Sequence, residues 1–366
     1  MKAIAIRPGQ KNSVFLHEIE KPEIAPGELL IRVLETGICG TDLEIIRGDY
    51  GTAPRGQDFL VLGHESFGRV EEVGPGLEAS GWATGDYVVC TVRRPCHDSD
   101  PNCDHGQSDM CLTGNYTERG IKDQHGFMTE YYTEKPQFAI KVPPQYRSWG
   151  VLLEPTAVVE KAIYQAYKIQ QRLEWAPKKA VVLGAGPIGL LATFLLRDRG
   201  LEVFTVAHSP GGPGNPKAVM TERVGATYLS SQEVQIDQLN KKIGPIDLII
   251  EASGSSEVVF QGMAALGPNG IMGITGVAGG HNSLAVDTNR LNHQIVMGNQ
   301  VIFGSVNANR NYFEMGVESW AGIEAKWPGV LDSMITRKYP LEDYEAALSR
   351  DRNSIKTVMQ IAPETL

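Results

Sequence analysis

Basic residues are in short supply in this sequence: its 366 residues hold 34 Lys and Arg against 43 Asp and Glu, a formal net charge of −9. Nucleic acids and anionic membrane surfaces are bound through clustered cations, so neither is expected as a partner. The first ten residues, MKAIAIRPGQ, lack the long apolar core of an export signal, and no export is expected. Long apolar runs are lacking as well. The longest, 180–196, is broken by three glycines and a proline within its first ten residues, which makes it a poor membrane span and a good strand–turn–helix. Cysteine is scarce and odd in number: five, at Cys39, Cys90, Cys96, Cys103 and Cys111. In a large chain without an export signal such spacing reads as metal ligation rather than a disulfide framework, and the expected compartment is the cytoplasm.

What is present is an ordinary globular composition, 42% hydrophobic and 21% charged, with 40 glycines that imply many tight turns. The length exceeds what one compact core accommodates and predicts two domains. Over the first 150 residues, short β-type runs (29–34, 68–73, 86–91) are separated by turns such as Pro75-Gly76 and Gly85-Asp86, which predicts a mostly-β domain. An amphipathic helix is predicted over 151–168. From Lys178 onward, apolar strands at 180–183, 202–207, 247–250 and 270–275 alternate with helices at 187–199 and 257–266. That alternation predicts a parallel sheet covered on both faces. A strand over 301–306, further helix and a short strand near 356–361 complete the reading. The predicted organisation is residues 1–158, then 159–306, then a return to the first domain over 307–366.

Gly184-Ala185-Gly186-Pro187-Ile188-Gly189 satisfies G-x-G-x-x-G. A glycine-rich turn alone is weak evidence, but this one follows an apolar strand and opens a helix, the context that confirms a dinucleotide site. The first glycine permits the tight turn, the second lets the backbone approach the pyrophosphate, and the third lets helix and strand pack closely. The helix N-terminus then offers N–H groups and positive dipole to the phosphates. Folds that prefer NAD place Asp or Glu about 20 residues further on, against the ribose 2′-hydroxyl. Here Val206-Ala207 runs into His208-Ser209-Pro210, without an acid. A 2′-phosphate meets no repulsion there, and His208, Ser209 and Lys217 are candidates to bind it. NADP is the expected cofactor, with use of NAD the alternative.

Cys39 lies in Gly37-Ile38-Cys39-Gly40-Thr41-Asp42, His64 in Gly63-His64-Glu65, and Glu154 in Leu153-Glu154-Pro155. Catalytic zinc takes three protein ligands of thiolate, imidazole and carboxylate type and keeps one position open. Cys39, His64 and Glu154 supply one of each. Glu65 is either an alternating ligand or a group that tunes the histidine. Such a centre acts as a Lewis acid on a substrate hydroxyl and lowers its pKa, preparing hydride transfer to the nicotinamide.

Gly63-His64-Glu65-x2-Gly68-x5-Gly74, with Leu77 in the last position, resembles the zinc-containing alcohol dehydrogenase signature, and the resemblance covers essentially the whole chain. Within that family the sequence is similar to the zinc-dependent glucose (aldose) 1-dehydrogenases of archaeal and bacterial type. Arg93-Arg94-Pro95, Tyr116 to Ile121, His125-Gly126-Phe127-Met128, Glu154-Pro155 and Gly304-Ser305-Val306-Asn307 carry that similarity. The resemblance implies an α/β fold, a GroES-like mostly-β catalytic domain plus a doubly wound Rossmann domain, in a homo-oligomer, dimer or tetramer. It implies oxidation of an aldose, D-glucose first, at C1 to the lactone. It also implies that Thr41 starts a proton relay beside the reacting oxygen while Glu65 assists ligand exchange, that Glu118 binds sugar hydroxyls along with Thr41, Glu154 and Asn307, and that Thr275, Gly276, Val277, Ser305, Val306 and Asn307 line the cofactor cleft. Family members hold a structural zinc through C-x2-C-x2-C-x7-C. Cys103 and Cys111 keep the last spacing, Asp100 stands where the second cysteine would be, and Cys96 with His97 lies at the first position. A second zinc on Cys96, Asp100 (or His97), Cys103 and Cys111 is therefore expected. The alternatives are a polyol or secondary-alcohol dehydrogenase of the same family and, from another class, a catalytically silent cofactor-binding protein.

Overall fold

Two nine-residue strands, the apolar Leu29–Gly37 and the more polar Glu65–Val73, pair antiparallel at the centre of the first folding unit in the computed structural model. The structure describes residues 1–279, 283–349 and 354–362. In the seven-stranded sheet built on that pair, the strands run in the order Ala139–Lys141, Tyr87–Cys90, Glu65–Val73, Leu29–Gly37, Lys356–Gln360 and Ile335–Pro340, with Tyr131–Glu134 also on Leu29–Gly37. Alternation buries Leu29, Ile31, Val33, Val70 and Val88 together with Phe127 in one core. The register sets Gly37 opposite both Glu65 and Val358, so residues from three distant parts of the chain meet at one end of the sheet. Strands Lys2–Ile6 and Val14–Glu18 and the helix Gly40–Ile46, unforeseen in the sequence reading, belong to this unit.

The second unit is a six-stranded parallel sheet, ordered Thr227–Ser230, Glu202–Ala207, Lys179–Leu183, Leu248–Glu251, Ile271–Ile274, Val301–Gly304. This is the 3-2-1-4-5-6 order of doubly wound dinucleotide folds, with the switch point between the two central strands. Lys179–Leu183, Leu248–Glu251 and Ile271–Ile274 are almost wholly buried, as their continuous apolar sequences require of strands covered on both faces. The helices Pro187–Asp198 and Ser256–Ala265 follow the expected strands.

The first unit comprises residues 1–157, 307–317 and 331–366, the second 158–306 and 318–330. The C-terminal segment is thus shared. Residues 318–330 group with the parallel sheet, where Lys326 pairs with Asp198 at 2.7 Å and Arg223 donates to Pro328 O. Among the described residues no helix is long and apolar enough to cross a membrane.

Candidate active site

Cys39 stands where the strand Leu29–Gly37 turns into the helix Gly40–Ile46. His64 follows Gly63, which adopts φ +90° where a Cβ would lie 2.6 Å from Met128 Cγ, so only glycine permits this turn. Glu65 opens the next strand. One ligand atom from each of Cys39, His64 and Glu65 lies within 4.8 Å of the others, and His64 and Glu65 are 4% and 2% exposed. Glu154, in the first turn of the helix Leu153–Gln170, stands beside this trio rather than within it. Burial pushes its carboxyl up to about 7, with the charge on Glu65 adding and His64 and Lys356 opposing. Thr41 Oγ1 is 4.0 Å from Cys39 Sγ.

Two residues to which the sequence reading gave no role organise the cluster. Asp42, fully buried, accepts from the Cys39 backbone N–H through Oδ2 (2.8 Å) and faces His64 Nδ1 with Oδ1 at 3.5 Å. It presents the other ring nitrogen, Nε2, for ligation, the usual role of a carboxylate behind a metal-binding histidine. Burial works against charge on His64, but Asp42 and Cys39 outweigh it and hold the ring well above the usual histidine range. Lys356, 1% exposed, pairs with Glu65 Oε2 and donates to Ile38 O at 3.0 Å. Burial opposes its charge too, and Glu65 raises its pKa nonetheless. Gly37 leaves the space for this pair, since a Cβ there would overlap Glu65 Oε2 and lie 2.8 Å from Lys356 Cε. Lys356→Met, which strands a buried carboxylate, is expected to cost about 3–5 kcal/mol of stability in urea unfolding. An unchanged midpoint would show that Glu65 does not depend on it.

A partly buried thiol converging with a buried imidazole and buried carboxylates matches the donor set of a catalytic zinc. His64 Nδ1 and Asp42 Oδ1 face each other at 3.5 Å, and neither has another hydrogen-bond partner among the described residues, the arrangement of a carboxylate set behind a metal-binding ring. The residues fit the metal.

The second cluster is also assembled. Cys96, Asp100, Cys103 and Cys111 bring ligand atoms within 4.8 Å of one another, with Cys96 and Cys103 sulfurs 3.6 Å apart. His97 is exposed and outside the set. Asp100 caps the short helix Pro101–Asp104, Oδ1 accepting from Asn102 and Cys103 N–H and Oδ2 from Leu112 N–H at 2.7 Å. Burial works to raise its pKa, but the Leu112 and Cys103 N–H groups prevail and bring it down to about 2, a permanent anion among three thiols. Four donors of this kind fit a closed structural zinc.

Glu118 is 3% exposed and lies opposite Arg93 in an antiparallel pair. Asn307, at φ +60°, donates from Nδ2 to Glu118 Oε1 at 2.9 Å, so these two sugar-binding candidates are in direct contact.

In the nucleotide-binding unit the three glycines divide their roles physically. Gly184 has φ +108°, and a Cβ there would lie 2.7 Å from Ala252 O. Gly186, at the start of the helix Pro187–Asp198, faces open space of the kind a phosphate group would fill. A Cβ on Gly189, which follows Pro187 and Ile188 in the first turn of the helix, would overlap Gly184 O. At the end of Glu202–Ala207, His208 and Ser209 are exposed, the first with its ring 3.2 Å from Gln232 Nε2, the second held by Tyr228 OH donating to its carbonyl at 2.9 Å. Thr275 Oγ1 donates to Glu251 O at 2.7 Å, and Gly276 passes so near the next loop that a Cβ would be 2.5 Å from Gly254 N. Val277 and Val306 are exposed, Ser305 is buried, and Lys161 donates to Val306 O at 2.9 Å.

Comparison with known proteins bears on both units. Residues 25–144 match the alcohol dehydrogenase GroES-like domain, and residues 147–361 match the glucose dehydrogenase C-terminus. Glucose 1-dehydrogenase of Methanocella arvoryzae is 45% identical over 361 residues, 99% of each chain. Glucose 1-dehydrogenase 2 of Vulcanisaeta moutnovskia is 40% identical, again over 99% of each. The solved Haloferax mediterranei glucose dehydrogenase in complex with NADP, Zn and gluconolactone has a TM-score of 0.90 at 33% identity, covering 99% of this chain and 100% of that one.

Proposed function

The chain belongs to the glucose dehydrogenase group of the zinc-containing medium-chain alcohol dehydrogenases, and we propose that it oxidises an aldose, D-glucose first, at C1 to the lactone with hydride transfer to NADP. The observation that carries this reading is the convergence of Cys39, His64 and Glu65 within 4.8 Å in a chain of this family. Cys39, His64 and Glu154 hold the catalytic zinc, with Glu65 poised beside them. Bound there, zinc supplies Lewis acidity that makes the C1 hydroxyl easier to deprotonate. Thr41 takes the first step of the proton's exit. Glu118 and Asn307 receive sugar hydroxyls and orient the ring. Gly184, Gly186 and Gly189, with Pro187 and Ile188, seat the pyrophosphate at the helix N-terminus, and His208 and Ser209 receive the 2′-phosphate. Thr275, Gly276, Val277, Ser305 and Val306 line the nicotinamide half of the cofactor. Cys96, Asp100, Cys103 and Cys111 hold the structural zinc. Exposed Leu284, Val296 and Met297 support a homo-oligomer, dimer or tetramer, and five free thiols support a reducing compartment such as the cytoplasm.

A panel of aldoses and polyols, assayed with NADP and with NAD before and after chelation, tests the reading. Glucose or galactose is expected to be the best substrate, NADP is expected to exceed NAD by about tenfold or more in kcat/KM, and chelation is expected to abolish turnover. Faster oxidation of sorbitol or butanediol than of any aldose would overturn the substrate assignment.

A further inference from the structure

The charged groups around Glu118 are arranged in a way that its sugar-binding role alone does not require. Arg93 reaches Glu118 Oε1 with two donors, Nε at 3.0 Å and Nη2 at 3.0 Å, and Asn307 Nδ2 adds a third at 2.9 Å. All three fall on one oxygen. Among the described residues no side chain donates to Oε2, which leaves that oxygen as a fixed, open acceptor on a carboxylate that cannot rotate. The guanidinium is itself immobilised. Its Cζ lies 3.7 Å from the centre of the Tyr116 ring, and its remaining nitrogen, Nη1, donates to Asp109 O at 3.3 Å.

Asp109 belongs to the turn Ser108–Met110, which directly precedes Cys111 in the thiol-rich lobe. The lobe is anchored at this turn by two further bonds. Ser108 Oγ donates to Arg93 O at 3.3 Å, and Asn309 Nδ2 donates to Asp109 Oδ1 at 2.9 Å. Asn309 and Asn307 lie two residues apart, so one short segment grips both the carboxylate and the lobe turn behind it. Arg93, Asp109, Glu118, Asn307 and Asn309 are each less than a tenth exposed, and a buried network of this kind fixes its members strictly.

We infer that Arg93 is a positioning residue for the sugar site: it locks Glu118 with one oxygen presented to a substrate hydroxyl and ties that carboxylate to the turn of the Cys96–Cys111 lobe held by Asn309. The inference rests on the aldose reading and goes further in assigning the lobe a part in sugar recognition. A lysine at 93 keeps the charge and loses the fork, so it reaches Glu118 without fixing its orientation.

The experiment compares wild-type, Arg93→Lys and Asn309→Ala holoenzymes on glucose and on deoxyglucoses that each lack one hydroxyl. Arg93→Lys is expected to raise KM for glucose about tenfold, with kcat changed less than about threefold and KM for NADP unmoved. Asn309→Ala is expected to shift KM for glucose in the same direction by about threefold. The deoxy sugar that costs the wild type most is expected to cost Arg93→Lys little, because the hydroxyl it lacks no longer meets an oriented acceptor. This coupling separates positioning from a general loss of structure. An unchanged KM for glucose in the folded variants, or a full deoxy penalty retained in Arg93→Lys, would overturn the inference. If Arg93→Lys does not fold, Asn309→Ala decides alone. A wild type inactive on every aldose would remove the aldose reading and this inference with it, whereas active wild type with unaltered variants sinks this inference only.

Discussion

Cys39→Ala is expected to lose about four orders of magnitude in kcat/KM while its far-UV circular dichroism stays that of the wild type. The removed sulfur is one of three donors lying within 4.8 Å of each other, and no neighbouring thiol can replace it, since Cys90 is buried against Tyr132 OH and the other three cysteines form the second cluster. Cys39 is only partly buried, and its backbone N–H keeps its bond to Asp42, so the strand-to-helix corner survives the change. Metal content is the companion measurement: zinc per chain is expected to fall by one equivalent while the four-ligand lobe keeps its own. A folded Cys39→Ala protein with full activity and no zinc at this site would defeat the catalytic assignment.

Gly189→Ala is expected to weaken NADP binding by about a hundredfold or more and to lower the thermal midpoint of the nucleotide-binding unit. The new methyl would overlap Gly184 O and lie 2.7 Å from Gly184 C. Both are backbone atoms of the turn proposed to present N–H groups to the pyrophosphate, so relief comes only by tilting the helix off the strand. Gly186→Ala is the instructive contrast. Its methyl would meet nothing within 4 Å, so stability is expected to hold while NADP affinity falls, because the methyl occupies space the phosphates need. Fluorescence titration with NADPH and thermal unfolding separate the two. Wild-type affinity in Gly189→Ala would mean that the helix docks elsewhere than the geometry shows.

The elements read most closely from sequence were those whose causes are local. Strands at 180–183 and 202–207 and the helix from Pro187 follow from apolar periodicity and a glycine turn within a dozen residues, and the structure returns Lys179–Leu183, Glu202–Ala207 and Pro187–Asp198. The helices Gly40–Ile46 and Thr288–Met297 escaped notice for a physical reason: the first is two turns long, and the second is polar over most of its length and buries none of its residues. The strands Lys2–Ile6 and Val14–Glu18 are likewise short, and the second, at the edge of its sheet, is half solvated. The four-residue lobe set was legible from a spacing that survives in Cys103 and Cys111, but choosing Asp100 over His97 required knowing that Asp100 is drawn inward by four backbone N–H groups.

Residue chemistry and short-range sterics, both written in the order of amino acids, determined the glycine turn from Gly184 to Gly189 at the start of a helix and supplied the thiol, imidazole and carboxylate donors of the two clusters. Only the folded sheet decided which carboxylate joins Cys39 and His64 most closely, and that a lysine near the C-terminus neutralises it. Strand register, which sets Gly37 opposite Glu65 and Val358, brings Lys356 into the cluster across nearly three hundred residues of chain. A lysine in a strand reads as a solvent-facing residue until its neighbours are known. Pairing over that distance is settled by the packing of whole strands, and no local pattern encodes it.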